Sequence, residues 1–130
     1  MGTFIGGSQS YRSIGQNVSS LKTSYPFKNG YFGEKGQSTS SKVRHIITDN
    51  PVETAKEFYA KAAYGGMEKT IYNTKTGAII GQTASLADGS VISWRNVSSS
   101  DGSPAVEINI KRSSDTSGVK QQKIHFIMED

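Results

Sequence analysis

The sequence predicts an α+β domain in which an irregular N-terminal segment and one helix pack on an antiparallel sheet of about four or five strands. Three observations lead there. One strong helix-start signal stands near residue 50, the apolar period changes from helical to alternating at Met67, and the connections between the alternating runs are short and rich in turn residues. At 130 residues and 14.0 kDa, the chain suits a single domain spanning 1–130 and leaves no room for two independent cores.

Residues 1–42 are rich in Gly, Ser, Gln and Asn, and their apolar side chains (Phe4, Ile5, Tyr11, Ile14, Val18, Leu21, Tyr25, Phe27, Tyr31, Phe32) follow no sustained period. Pro26, Asn29, Gly30, Gly33 and Gly36 interrupt the run, so an irregular segment with one short helix over 14–21 is expected. This segment is also basic. Residues 1–50 carry six basic and two acidic side chains, whereas 51–130 carry nine of each, so the whole net charge of +4 is N-terminal. A cationic stretch of this kind suits tracking of phosphates, and equally suits a solvated arm.

Residues 43–48 are β-branched and short, which predicts a strand or the approach to a helix. The helix itself is announced by Asn50 before Pro51, with Glu53 at capping-box spacing. Val52, Ala55, Phe58, Tyr59 and Ala62 then form one apolar stripe, Glu53, Lys56, Glu57 and Lys61 take the other face, and Gly65 with Gly66 ends the run. Strands are expected over 68–73, 78–83, 91–97, 105–111 and 120–128. The breaks carry Lys75-Thr76-Gly77, Asp88-Gly89, Asp101-Gly102-Ser103-Pro104 and 115–118, and short breaks favour antiparallel hairpins.

Alternation sorts the last three strands into two faces. Ile92, Trp94, Val106, Ile108, Ile110, Ile124, Phe126 and Met128 form an apolar face for the helix to cover. Ser93, Arg95, Glu107, Asn109, Lys111, Lys123 and His125 converge on the opposite, exposed face. Such a face can be merely solvated, with cross-strand ion pairs. It also carries the groups of a metal-independent ribonuclease: a base for the ribose hydroxyl, cations for the phosphorane, and an acid for the leaving oxygen. Ser98 and Ser99, in the serine run after Arg95, could donate hydroxyls to a phosphate.

Other classes are poorly supported. The chain has no Cys, which excludes disulfides, thiolate catalysis and thiol-ligated zinc, and disfavours deamination. His45 and His125 lie far apart in sequence with no metal-binding spacing around them, so neither a metal nor a cofactor is expected. No apolar run nears the roughly 18 residues of a membrane span, and residues 1–11 lack the pattern of a signal peptide, so a soluble domain without a membrane partner is expected.

The stretches LADGSVISWRNVSSSDGSPAVEINI (86–110) and KQQKIHFI (120–127), with PFKNGYFGEKG and VRHIITDNPVETAKEFY upstream, resemble C-terminal toxin domains of bacterial polymorphic toxins. These are the contact-dependent, LXG, Rhs and phage-borne types, and the resemblance spans about residues 26–128. The order of helix and sheet is also similar to the superfamily of barnase, EndoU, the tRNase colicins and RelE. That resemblance implies an antibacterial, metal-independent endoribonuclease acting on tRNA or other structured RNA and leaving a cyclic phosphate. It implies delivery into a target-cell cytoplasm as part of a larger secreted toxin, and a cognate immunity protein. Arg95, Glu107 and His125 match the Arg, Glu and His of such sites in type, although Arg precedes Glu here. The expected set is therefore His125 as general acid, Arg95 and Lys123 as phosphate clamps, and either His45 or Glu107 as base, with Ser93, Ser98, Ser99 and Asn109 binding substrate. A non-enzymatic RNA-binding or adaptor module is the alternative.

Overall fold

A computed structural model describes residues 12–36, 40–97, 102–110 and 115–128. Three helices, α1 (Ile14–Val18), α2 (Leu21–Ser24) and α3 (Pro51–Ala62), accompany nine strands among these residues. The strands are β1 (Phe27–Lys28), β2 (Tyr31–Phe32), β3 (Glu34–Lys35), β4 (Val43–Ile47), β5 (Met67–Tyr72), β6 (Ile79–Ser85), β7 (Val91–Arg95), β8 (Ala105–Asn109) and β9 (Gln122–Ile127). The class is α+β, as the sequence predicts. The sheet is larger than expected: seven strands in the order β3-β4-β9-β8-β7-β6-β5, with β1 and β2 as a separate hairpin.

From β5 to β9 the chain is an antiparallel meander whose turns fall at the expected breaks. One pair departs from the expectation of an antiparallel sheet. β9 lies parallel to β4, pairing His45 with His125 and Ile46 with Phe126, because α3 carries the chain from β4 across to β5 at the far edge. The meander then returns strand by strand until β9 meets β4.

Helix α3 follows the predicted boundaries, and Ala55, Phe58, Tyr59 and Ala62 are buried. Phe58 is the hub of the core. Its ring meets Tyr25 at 5.3 Å, Phe32 at 5.1 Å and Phe126 at 5.7 Å between centroids, and truncation of such a side chain costs about 3–5 kcal/mol. Two assignments to the apolar side change: Val52 is 37% exposed and Met128 62% exposed. The expected capping box does not form. Asn50 makes no side-chain cap, and its own N–H donates to Thr48 Oγ1, which also bonds Thr54 Oγ1 at 2.7 Å.

The described part of the N-terminal segment is less irregular than its sequence suggests. Ser13 accepts from the Gln16 N–H while Gln16 Oε1 accepts from the Ser13 N–H, a reciprocal capping box that starts α1. Ile14, Val18, Leu21 and Phe32 are fully buried and complete the core, so the segment is a structural layer of the domain. Asn29 and Gly30 both take positive φ (56° and 91°), which makes the β1–β2 connection a two-residue turn of the primed kind. Buried Gln122 ties this hairpin down. It accepts from the Phe32 N–H at 2.8 Å and donates to the Gly30 carbonyl at 3.0 Å and the Lys120 carbonyl at 2.6 Å.

Candidate active site

Strand register assembles the site on the sheet face opposite α3. One cross-strand row reads Glu34, His45, His125, Ala105, Arg95 and Gly81, and the neighbouring row on the same face reads Val43, Lys123, Glu107, Ser93 and Thr83. Successive strands stand about 4.8 Å apart. Arg95 therefore originates about 10 Å from His125, two strands away, with the methyl of Ala105 as the floor between them.

The two histidines, eighty residues apart in sequence, are direct neighbours here. Their ring centroids lie 5.9 Å apart with planes at 88°. His45 is half-buried, and its ring lies over Gly36, where a Cβ would fall 2.9 Å from Nε2. Gly33, at φ +68°, passes so close to the His45 carbonyl that no larger residue fits. Two glycines thus bring β3 against the back of His45.

His125 departs from its expected exposure. It lies on the face opposite α3, as alternation requires, yet it is only 2% exposed, because Ser103 and His45 crowd it. Ser103 Oγ lies 3.0 Å from Nδ1, which restrains the ring's rotation.

The other candidates separate clearly. Lys123 and Glu107 are Cα partners in the neighbouring row, the lysine half-buried and the carboxylate exposed. Arg95 is exposed at the end of β7, with its side chain in the histidine row. The hydroxyl of Ser93 is engaged by Thr83 Oγ1 at 3.0 Å. Asn109 sits four residues along β8 from Ala105, about 13 Å away at strand rise, so the structure does not bring it to the histidines. Ser98 and Ser99 lie outside the described residues.

Two participants are absent from the sequence expectation. Glu34, exposed on the edge strand, is the Cα partner of His45 and extends the histidine row by an acidic residue. Ser103, within the Asp-Gly-Ser-Pro turn, positions His125. A turn motif announces the bend and says nothing of a hydroxyl aimed at a strand 22 residues later.

Among the described residues no group of three or more His, Asp or Glu side chains gathers in a geometry that could hold a metal ion, and no helix is long and apolar enough to cross a membrane. Compared with protein-family models, curated proteins and solved structures, the chain matches none. Arg95 and Lys123 share the sheet face of the paired imidazoles.

Proposed function

We propose that this domain is an antibacterial toxin that cuts RNA, tRNA or another structured RNA, by a metal-independent route. The observation that carries the reading is the juxtaposition of His45 and His125 at 5.9 Å, a separation that lets two imidazoles serve one phosphodiester. In this reading His45 takes the proton of a ribose 2′-hydroxyl and the oxygen attacks phosphorus. The bond from phosphorus to the 5′ oxygen breaks, and His125 hands its proton to that leaving oxygen. A 2′,3′-cyclic phosphate and a free 5′-hydroxyl result. Arg95 and Lys123 balance the charge that builds on the phosphorane. His45 is preferred over Glu107 as base because it adjoins His125 directly, whereas Glu107 stands opposite Lys123 in the next row.

Delivery from a larger secreted protein and restraint by an immunity protein belong to the same proposal. The near-complete burial of His125 favours one competing reading, a non-enzymatic RNA-binding or adaptor module in which that imidazole is purely structural. Incubating the folded protein with total RNA in EDTA separates the two. The nuclease reading expects fragments ending in cyclic phosphate, and intact RNA after prolonged incubation would overturn it.

A further inference from the structure

The cations of the N-terminal half do not lie along a loose arm. Several of them gather at one end of the parallel β4–β9 pair, around a single tyrosine. Lys28 is the Cα partner of Tyr31 across the β1–β2 hairpin. The Arg44 guanidinium carbon lies 5.0 Å from the Tyr31 ring centroid, and the Lys120 ammonium lies 5.4 Å from it. Lys42, just before β4, accepts through its carbonyl the N–H of Lys123 at 2.8 Å, which brings the starts of both strands together.

The parts of this cluster differ in freedom. Arg44 is spent on structure: Nε donates to the Phe32 carbonyl at 3.2 Å and Nη2 to the Gly33 carbonyl at 2.9 Å. Lys28, Lys42 and Lys120 are exposed, while Tyr31 is half-buried on a hairpin that Gln122 anchors from below. A fixed aromatic ring with exposed lysines beside it is the combination that holds single-stranded nucleic acid, with a base stacked on the ring and the flanking phosphates on the cations. Lys120 leaves the ring for a phosphate as the base takes its place. Lys123, one row from the histidines, lies on the opposite face of β9 from Gln122, which anchors the hairpin.

We infer that the β1–β2 hairpin and the starts of β4 and β9 form a docking track for a single-stranded segment of RNA, with Tyr31 as the stacking platform and Lys28, Lys42 and Lys120 on the phosphates. The choice of RNA rests on the nuclease proposal above. The track itself rests on the clustering around Tyr31.

The test measures binding of a fluorescent, fully 2′-O-methylated oligoribonucleotide about twelve nucleotides long, which cannot be cut by 2′-hydroxyl attack. Tyr31→Ala is expected to weaken binding about 5- to 100-fold, and Tyr31→Phe to stay within about twofold. Lys28→Glu with Lys120→Glu should reduce the steepness of the salt dependence by more than one phosphate contact, each contributing about 0.7 to the slope for a single strand. A charge-matched control, Lys69→Glu with Lys75→Glu on the exposed β5–β6 hairpin, should change little. Equal loss in the control pair, retention of affinity in Tyr31→Ala, tighter binding of a duplex than of the single strand, or binding of polyglutamate in place of the oligonucleotide would each overturn the track. Cleavage of total RNA by a protein whose Tyr31 and lysine variants bind normally sinks the track alone. Oligonucleotide binding that depends on Tyr31, without any cleavage, sinks the nuclease reading alone.

Discussion

His45 and His125 face each other across the parallel β4–β9 pair, one half-buried over Gly36 and the other sealed behind Ser103. The asymmetry predicts different costs for losing each. Under the nuclease reading both His45→Ala and His125→Ala lower cleavage by about two to four orders of magnitude. Stability separates them: His125→Ala empties a site that is only 2% exposed and costs about 1–3 kcal/mol, while His45→Ala stays within about 1 kcal/mol of the parent. Urea midpoints alongside RNA cleavage read both effects, and equal midpoints would contradict the burial difference.

Gly36 offers a subtler probe. A methyl there would press on His45 Nε2 from 2.9 Å, and the ring can yield by turning. Gly36→Ala is expected to lower cleavage about ten- to hundredfold through misplacement of the imidazole. Its urea midpoint should barely move, and unchanged turnover would show that the ring's seat on Gly36 is irrelevant to chemistry.

Gln122→Leu tests the anchor under the hairpin. The substitution conserves bulk but leaves the buried Phe32 N–H without its partner, while the Gly30 carbonyl keeps only the Lys120 N–H, at a cost of about 1–3 kcal/mol for the orphaned N–H. Amide exchange at Phe32 should accelerate well before exchange in β7 and β8. Uniform acceleration across the sheet would mean that the hairpin is not separately held.

Alkaline pH supplies a test that depends on no function. Burial, the hydrogen bond from Tyr59 Oη to Glu68 Oε2 at 2.8 Å, and the charge of Glu68 all push the Tyr59 phenol above the ordinary tyrosine value. The folded state therefore holds that proton more tightly than the unfolded state. The resulting stability is fully present below the unfolded value of about 10 and is lost as pH rises past it. Stability of the parent should fall more steeply above about pH 10 than that of Tyr59→Phe. Parallel curves would place the alkaline loss elsewhere.

What was legible in the sequence was local. The meander from β5 to β9 follows from alternation broken by turns such as Asp88-Gly89, and α3 follows from Pro51 and the stripe around Phe58. Pairing of β4 with β9 left no local trace, because a parallel contact across such a separation is set by the whole intervening chain. The same pairing creates the two-histidine neighbourhood, so the candidate site was visible as residue types and hidden as geometry. Alternation placed His125 on the correct face, while its burial came from Ser103, which no periodicity reports. Ile14, Val18 and Leu21 looked scattered because tertiary contacts, more than a helical period, recruit them. The Ser13 to Gln16 spacing was readable and marks the start of α1.

The position of β9 between β4 and β8 has a consequence for synthesis. Of the nine strands among the described residues it is the latest to leave the ribosome, and it fills the gap between a strand made early and a strand made just before it. Until it emerges, β4 has no neighbour on that side, His45 lacks its counterpart, and Gln122 cannot fasten the hairpin. A nascent chain can collapse its meander and helix early, as domains do during translation, yet the paired imidazoles and the anchored hairpin come into being together, once β9 is in place. The proposed chemistry therefore cannot be assembled on a nascent chain before β9 has been made.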